Sequence, residues 1–241
     1  MAKKAVIDIG TNTFNLLIAE VSQNTFDILH SEKEGVALGM GGINDDRISD
    51  DAFERGIACL LRFKSACDAH GIEVIKAFGT SALRGAKNRE AFIQECFNTS
   101  GIKVEVISGD QEAQLIYEGV RWSYDFAEPS VVMDIGGGST EFIFADKGGV
   151  SEKKSFDIGV SRIFQEFELN DPYSQIDTQK IERWLDDKSN NYFGASYKRA
   201  IESIRLVNWF HSRGTRCQLM DYPNSEKDGT NSRNKNQMGA Q

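Results

Sequence analysis

The stretches VIDIGTNTF (residues 6–14) and VMDIGGGST (residues 132–140) carry the same pattern twice in this chain. In each stretch an apolar run leads into Asp-Ile-Gly, and a turn of small hydroxyl, amide or glycine residues follows. A second apolar run comes directly after each turn, FNLLIAEV in the first case and EFIFAD in the second. The aspartates, Asp8 and Asp134, are separated by about the length of a domain. This repeated strand, turn and strand predicts two related lobes that face each other across a cleft.

The residue types of the two turns are suited to holding an anion. Glycine lets the backbone approach a ligand closely, and successive free N–H groups form a concave anion site. Serine and threonine hydroxyls add donors. The candidate phosphate-binding residues are Gly10, Thr11, Asn12, Thr13, Gly136, Gly137, Gly138, Ser139 and Thr140. A single Asp-Gly turn between apolar strands is typical of an ordinary hairpin, and it is the repetition that favours a phosphate clamp.

The composition limits the classes of protein to which the chain can belong. With 241 residues, 40% hydrophobic and 27% charged, it has the make-up of an ordinary globular protein. Asp8 and Gly10 interrupt the first apolar run, which argues against a signal peptide, and no run is long enough to cross a bilayer. The four cysteines lack Cys-x-x-Cys spacing and are expected to be reduced thiols in the cytoplasm. The net charge of −8 argues against a nucleic-acid partner.

The alternation of strand and helix patterns predicts an α/β fold with two lobes. Residues 1–127 are expected to form the first lobe, with a helix that starts after Ser49 and ends near Gly71. Residues 128–210 are expected to form a second lobe that repeats the opening strands. Strands of the first lobe are expected near residues 5–9, 14–21, 25–32, 73–78 and 103–108. The last helices are expected over residues 177–190 and 195–210.

Four motifs in order resemble those of one protein family. They are the two Asp-Ile-Gly turns together with TSALR (residues 80–84) and ISGDQEAQLIY (residues 107–117), the second turn continuing as DIGGGSTEF (residues 134–142). Their order and spacing are similar to those of the Ppx/GppA phosphatases, which are exopolyphosphatases and guanosine pentaphosphate phosphohydrolases. The resemblance covers about residues 5–170. It implies two ribonuclease-H-like lobes of the actin–hexokinase–Hsp70 type, with the active site in the cleft between them.

Glu112 is the first candidate catalytic residue. The resemblance implies that the glutamate of the S-G-x-x-E-A motif, here residues 108–113, is the catalytic base. By its pattern, a strand ends near Ser108 and Glu112 lies in the first turn of the next helix, at a sheet edge where ligands commonly bind. A carboxylate there can accept a proton from an attacking water molecule. The alternative is that Glu112 only satisfies free N–H groups at the helix start.

Four further residues complete the expected site. Glu141 closes the second turn and is expected to face the cleft as an acid that orients water or binds metal. The resemblance implies that Arg84 binds phosphate, a role that suits a planar guanidinium group. Asp8 and Asp134 are expected to hold Mg²⁺, or another divalent cation, through water molecules. Each aspartate could instead only stabilise its own turn.

The resemblance implies removal of the terminal phosphate from inorganic polyphosphate with Mg²⁺. The same hydrolysis of guanosine pentaphosphate is the closest alternative, because the turns recognise phosphates and not the nucleoside. A phosphate- or nucleotide-binding protein without turnover is an alternative from another class. Neither a nucleic acid nor a membrane is expected as a partner, and a homodimer is compatible with the sequence.

The chain departs from the family near its end. The resemblance calls for a further Gly-rich segment of the kind G-[TS]-[GS]-G, and residues 204–223 read IRLVNWFHSRGTRCQLMDYP instead. We therefore expect an incomplete second lobe, caused by a frameshift or a truncation near Ile204, with a divergent natural terminus as the alternative. Residues 211–241 are poor in apolar side chains and are expected to be a disordered tail.

Overall fold

The computed structural model describes residues 2–23, 25–169, 171–172, 174–189 and 192, and the backbone of residues 205–208 and 218–220. The predicted tail lies outside the described residues, apart from the backbone of residues 218–220. None of the helices in the described part of the chain is long and apolar enough to span a membrane.

The first sheet has five strands in the order β3-β2-β1-β4-β5. Strands β1 and β2 form an antiparallel hairpin, β3 extends it, and β4 and β5 lie parallel to β1 on the other side. The strands are β1 Ala2–Ile9, β2 Phe14–Val21, β3 Phe26–Glu34, β4 Ile75–Gly79 and β5 Val104–Val106. The predicted strands are therefore present, within a few residues of their expected ends.

Four helices belong to this part of the chain, of which the first three lie between strands of the sheet and the fourth leads from its last strand to the second sheet. They are α1 Asp50–Ala69, α2 Ser81–Gly85, α3 Arg89–Ser100 and α4 Gly109–Val120. Ser49 precedes α1 as predicted, but its hydroxyl donates to the carbonyl of Met40 and accepts no hydrogen bond from the helix. Gly71 follows α1 with a φ of +68°, a left-handed conformation that favours glycine. The core of this lobe packs apolar faces of α1 and α3 on the sheet, with Phe53 and Phe92 in edge-to-face contact.

The second sheet repeats the strand order of the first, as β8-β7-β6-β9-β10. Its strands are β6 Ser130–Ile135, β7 Thr140–Asp146, β8 Gly149–Phe156, β9 Arg205–Asn208 and β10 Gln218–Met220. As in the first lobe, the opening hairpin is antiparallel and the strand on its other side, β9, is parallel to β6. The lobes differ at the last strand, since β10 is antiparallel to β9 whereas β5 is parallel to β4.

The helix predicted over residues 195–210 is wrong at Arg205–Asn208, because this segment is strand β9. An apolar run of that length fits a buried strand as well as a helix, and pairing with the edge of β6 selects the strand. The rest of that predicted helix lies outside the described residues. Two helices of the second lobe are described, α5 Val160–Glu166 and α6 Gln175–Lys188.

Helix α4 links the two lobes. It begins just after β5 of the first lobe, but its buried residues Ala113, Tyr117 and Val120 pack with Val132 and Ile143 of the second sheet. The lobe boundary predicted near residue 127 stays a prediction. The packing means that a side chain in the first turn of α4 lies at the junction of the lobes.

Candidate active site

The two Asp-Ile-Gly turns adopt the same geometry in the two lobes. In the first turn, loop 1 (residues 10–13), the N–H of Gly10 donates to the carbonyl of Thr13 at 3.1 Å. In the second turn, loop 2 (residues 136–139), the N–H of Gly136 donates to the carbonyl of Ser139 at 2.9 Å. The repeat seen in the sequence is therefore a repeat of local structure.

The residues flanking the loops also correspond. Asp8 lies opposite Asn15 across the β1–β2 hairpin, and Asp134 lies opposite Glu141 across β6–β7. Directly opposed residues share one face of a sheet, so each aspartate has a polar neighbour beside its loop. The Asn15 amide donates to Asp8 at 3.1 Å. In the second lobe the residue equivalent to Asn15 is Glu141, a carboxylic acid, which makes that side of the site more acidic.

The two loops meet at close range. A Cβ added to Gly138 would lie 2.6 Å from both the Ser81 and the Thr11 hydroxyl oxygens. A Cβ added to Gly137 would lie 2.8 Å from the Asn12 amide nitrogen. These separations are shorter than any side chain allows, so glycine is required where loop 2 approaches loop 1.

A cleft of about 310 Å³ lies between the loops. Most of the residues that line it have polar side chains, and they come from both lobes. The lining includes Asp8, Gly10, Thr11, Asn12, Thr13, Asn15, Lys33, Thr80, Ser81, Glu112, Asp134, Gly136, Gly137, Gly138 and Ser139. A cleft lined by glycines, hydroxyls and carboxylates is suited to a phosphate and a hard cation.

Glu112 enters this cleft from the start of α4. The helix begins with a capping box, in which the Ser108 hydroxyl accepts from the N–H of Gln111 and the Gln111 side chain accepts from the N–H of Ser108. Because Ser108 and Gln111 already cap the helix, Glu112 is not needed for capping. Its carboxylate pairs with Arg84 at 3.0 Å, and the same guanidinium nitrogen donates to the carbonyl of Ile107.

Three carboxylic acids of the site have raised pKa values. Burial, and then the charge of Glu141, raises the pKa of Glu112 to about 7 against the opposing effect of Arg84. Burial, followed by the charges of Glu112 and Asp8, raises the pKa of Asp134 to about 7. Burial also raises the pKa of Glu141 to about 7, although Ser155 and Ser139 donate to it. Clustered buried acids of this kind are typical of functional sites.

The donor set is compatible with a divalent cation. Asp8 and Asp134 line the cleft with carboxylate oxygens, the ligands that Mg²⁺ prefers together with water and substrate phosphate. Mutual repulsion contributes to the raised pKa of Asp134, and a cation beside it would relieve that repulsion. Within the described residues, no group of three or more His, Cys, Asp or Glu side chains is arranged to hold a metal ion directly.

Some predicted residues lie elsewhere than expected. The Thr140 hydroxyl donates to the carbonyl of Ile158 at 2.6 Å and does not line the cleft, so its assignment to the phosphate site is corrected. Asn12 lines the cleft, but its side-chain oxygen accepts a hydrogen bond from Ser161 of the other lobe. Glu141, expected to face the cleft, lies beside Asp134 on the paired strand, is almost fully buried and does not line the cleft; it accepts from the Ser155 hydroxyl at 2.7 Å.

The sequence reasoning missed several residues of the site. Thr80 and Ser81 line the cleft, and they belong to TSALR, a motif from which only Arg84 was selected. Lys33 lines the cleft from the third strand, and no sequence pattern distinguishes it from other lysines. Gly159 packs against the backbone of Gly137 and Gly138, and it is the last residue of a third Asp-Ile-Gly, at residues 157–159, which was the available sequence signal.

A polar seam (α5 against residues 39–44) joins the lobes beside the cleft. The Arg162 guanidinium donates to the carbonyl of Gly138 at 2.8 Å and to the carbonyl of Ile43 at 3.1 Å. The Gln165 amide accepts from the N–H of Gly41 at 2.7 Å and donates to the carbonyl of Gly39 at 3.0 Å. Arg162 thus ties loop 2 directly to the first lobe.

We expect Arg162→Ala to raise the KM for a phosphate substrate by about tenfold, since each hydrogen bond to a charged group contributes about 1.5–3 kcal/mol. Arg162→Lys should recover little of this loss, because a lysine cannot bridge two carbonyls as a planar guanidinium does. The measurement is KM and kcat beside Arg183→Ala, a control that removes an exposed arginine of α6. Equal KM values for Arg162→Ala and the control would contradict the prediction.

The fold and the cleft define a class of protein. The chain is an α/β protein with two ribonuclease-H-like lobes of the actin–hexokinase–Hsp70 type, with a loop from each lobe at the cleft. The sequence profile of the Ppx/GppA phosphatase family matches residues 17–227. The chain therefore belongs to the Ppx/GppA phosphatase family.

Individual relatives agree with this assignment. The chain is 38% identical, over 76% of its length, to a bifunctional 3-dehydroquinate synthase/phosphatase of Fusobacterium nucleatum, covering 29% of that protein. It is 34% identical, over 64% of its length, to a guanosine-5'-triphosphate,3'-diphosphate pyrophosphatase of Photobacterium profundum, covering 31% of it.

Among solved structures, an exopolyphosphatase from Cytophaga hutchinsonii matches with a TM-score of 0.79 and 34% identity, covering 86% of this chain and 66% of that one. The chain thus spans less than a third of the curated relatives and about two thirds of this structure.

Proposed function

We propose that this chain is a phosphohydrolase that releases the terminal phosphate from inorganic polyphosphate. The observation that carries the proposal is a mostly buried carboxylate, Glu112, in a cleft between the two loops. Family membership and the likeness to the Cytophaga hutchinsonii exopolyphosphatase support it.

In the proposed mechanism, Glu112 accepts a proton from the water molecule that attacks the terminal phosphorus. A pKa of about 7 suits this role, because the group is then both ionised and basic enough near neutral pH. The N–H groups and hydroxyls of loops 1 and 2 hold the phosphoryl oxygens. Such fixed donors stabilise the charge of the transition state, and phosphoryl transfer depends chiefly on positioning and electrostatics.

Arg84 and Glu141 each lie next to an acid of the site, Arg84 next to Glu112 and Glu141 next to Asp134. Arg84 pairs with Glu112 at 3.0 Å, which holds the base in place. Arg84 does not itself line the cleft, and its role in binding phosphate stays a prediction. Glu141 supports Asp134 from the paired strand. A divalent cation such as Mg²⁺, held by Asp8 and Asp134, would offset the negative charge of the substrate.

The clustered acids predict a pH-dependent stability. The pKa values of Glu112, Asp134 and Glu141 lie above their ordinary values, so the folded state binds more protons than the unfolded state between about pH 4.5 and 7. The stabilisation is complete below that range and is lost as the pH rises through about 7. Without divalent cations, we expect Tm to fall by at least about 4 °C between about pH 5.5 and 8.

Asp134→Asn should reduce the fall in Tm between about pH 5.5 and 8. Millimolar MgCl₂ should raise the Tm of the wild type more at the higher pH than at the lower one. Asp187→Asn, in an exposed position on α6, is the control and should leave the pH dependence unchanged. Thermal melts of the three proteins across this range test the prediction. A pH dependence equal in all three would count against the clustered acids as its cause.

Guanosine pentaphosphate is the second candidate substrate. The relative of Photobacterium profundum, a guanosine-5'-triphosphate,3'-diphosphate pyrophosphatase, is the observation in its favour. The deciding assay measures phosphate release from long-chain polyphosphate and from guanosine pentaphosphate, each with Mg²⁺. Faster release from polyphosphate supports the first proposal, and faster release from the nucleotide supports the second. Binding of either substrate without release would instead indicate a binding protein.

A further inference from the structure

Two buried side-chain atoms in the described part of the chain have no hydrogen-bond partner: Ser81 Oγ and Arg84 Nη2. Both belong to the short helix α2, one turn apart on the chain. Ser81 is only 2% exposed. A buried polar group without a partner costs about 1–3 kcal/mol. Of the two residues only Ser81 lines the cleft, so its hydroxyl is the one placed to pair with a ligand there.

The Ser81 hydroxyl lies where the two loops meet. It and the Thr11 hydroxyl are each 2.6 Å from the position that a Cβ of Gly138 would occupy. Ser81 also lines the cleft, together with loop 1, loop 2 and Glu112. The hydroxyl is thus within reach of the space that both loops enclose.

We propose that Ser81 is a phosphate-binding residue whose hydroxyl donates a hydrogen bond to a non-bridging oxygen of the phosphoryl group held between the loops. This inference rests on the proposed function. A hydroxyl that donates to an anionic oxygen forms a charge-assisted hydrogen bond, which is about twice as strong as a neutral one. Ser81 adds such a donor from the first lobe, on the side of the cleft facing Gly138.

Ser81→Ala separates this role from a structural one. If the hydroxyl has no partner in the unliganded protein, its removal leaves Tm unchanged or raises it, because an apolar group then replaces an unsatisfied one. The same variant should raise the dissociation constant for inorganic phosphate, measured by calorimetric titration with MgCl₂, by about tenfold. Its KM for polyphosphate should rise by a similar factor.

Ser100→Ala is the matched control. Ser100 is also a buried serine, but its hydroxyl donates to the carbonyl of Cys96 at 2.6 Å and accepts from the N–H of Ile102 at 3.2 Å. Removing this satisfied hydroxyl should lower Tm and leave phosphate binding unchanged. Ser81→Gly is a second variant that should lose the same phosphate affinity as Ser81→Ala.

The outcomes distinguish this inference from the proposed function. Phosphate binding that weakens in Ser81→Ala supports the role of Ser81 even if the wild type releases no phosphate from polyphosphate, and only the hydrolase proposal then fails. Equal phosphate affinity in wild type and Ser81→Ala overturns the inference, and so does a fall in Tm as large as that of the Ser100→Ala control. A wild type that binds no phosphate overturns it as well.

Discussion

Replacing Glu112 by glutamine is expected to lower kcat for phosphate release by about 10²–10⁴, the range that a positioned general base typically contributes. The amide has the same shape as the carboxylate but cannot take a proton from water. It also ends the ion pair with Arg84, formed at 3.0 Å in the native site. The fold should survive, because the capping box of Ser108 and Gln111 holds the start of α4 without Glu112.

The matched control for this variant is Glu118→Gln, the same substitution on the same helix at an exposed position outside the cleft. Initial rates on long-chain polyphosphate and thermal melts of both variants provide the comparison. If Glu112→Gln keeps the kcat of the control while both proteins stay folded, Glu112 is not the base, and another acid of the cluster must be considered.

Gly159→Ala is expected to lower activity by about 10² although Gly159 does not line the cleft. An added Cβ would overlap the carbonyl oxygen of Gly137 and lie 2.5 Å from the backbone nitrogen of Gly138. The backbone of loop 2 would have to move, and misplacement of its N–H donors by about 1 Å is enough for a loss of this size. The φ of Gly159 is −154°, so the effect comes from close approach and not from backbone strain.

Loop 2 also depends on the residues that follow Gly159. The N–H groups of Val160 and Ser161 donate to the carbonyls of Gly136 and Gly137, at 3.1 and 2.8 Å. The displacement of Gly159 would disturb these bonds as well. Gly119→Ala is the control, because a Cβ there meets nothing within 4 Å and alanine favours the helix. Full activity in Gly159→Ala, beside a folded control, would show that loop 2 tolerates the shift.

The elements of the first lobe were largely predictable. Apolar runs and turn residues located β1, β2 and β3, and Gly71 marked the end of α1. The segment at Arg205–Asn208 was not predictable, because its pattern fits a helix and a strand alike and the edge of β6 decides between them. Thr140 had the right residue type for a phosphate donor, but the carbonyl of Ile158 already accepts from its hydroxyl.

The residues of the candidate site also divide into those that could be predicted from the sequence and those that could not. Asp8, Glu112 and Asp134 were selected from the sequence and come together in the cleft. Ser81 was missed, because a serine in a motif looks the same whether its hydroxyl is satisfied by the backbone or left for a ligand. Arg162 was missed too, since nothing local in the sequence shows that its side chain reaches Gly138 and the first lobe.

The sequence by itself determined the two Asp-Ile-Gly turns, the paired lobes and the family, because turn geometry and strand patterning depend on residues close together in the chain. Only the tertiary structure decided which groups share the cleft. The charge of Glu112 raises the pKa of Asp134, and Ser161 donates a hydrogen bond to Asn12, because packing between the lobes joins segments that are far apart in the sequence. Burial, which raises the pKa values of the acids and leaves the Ser81 hydroxyl without a partner, exists only once the lobes are packed together.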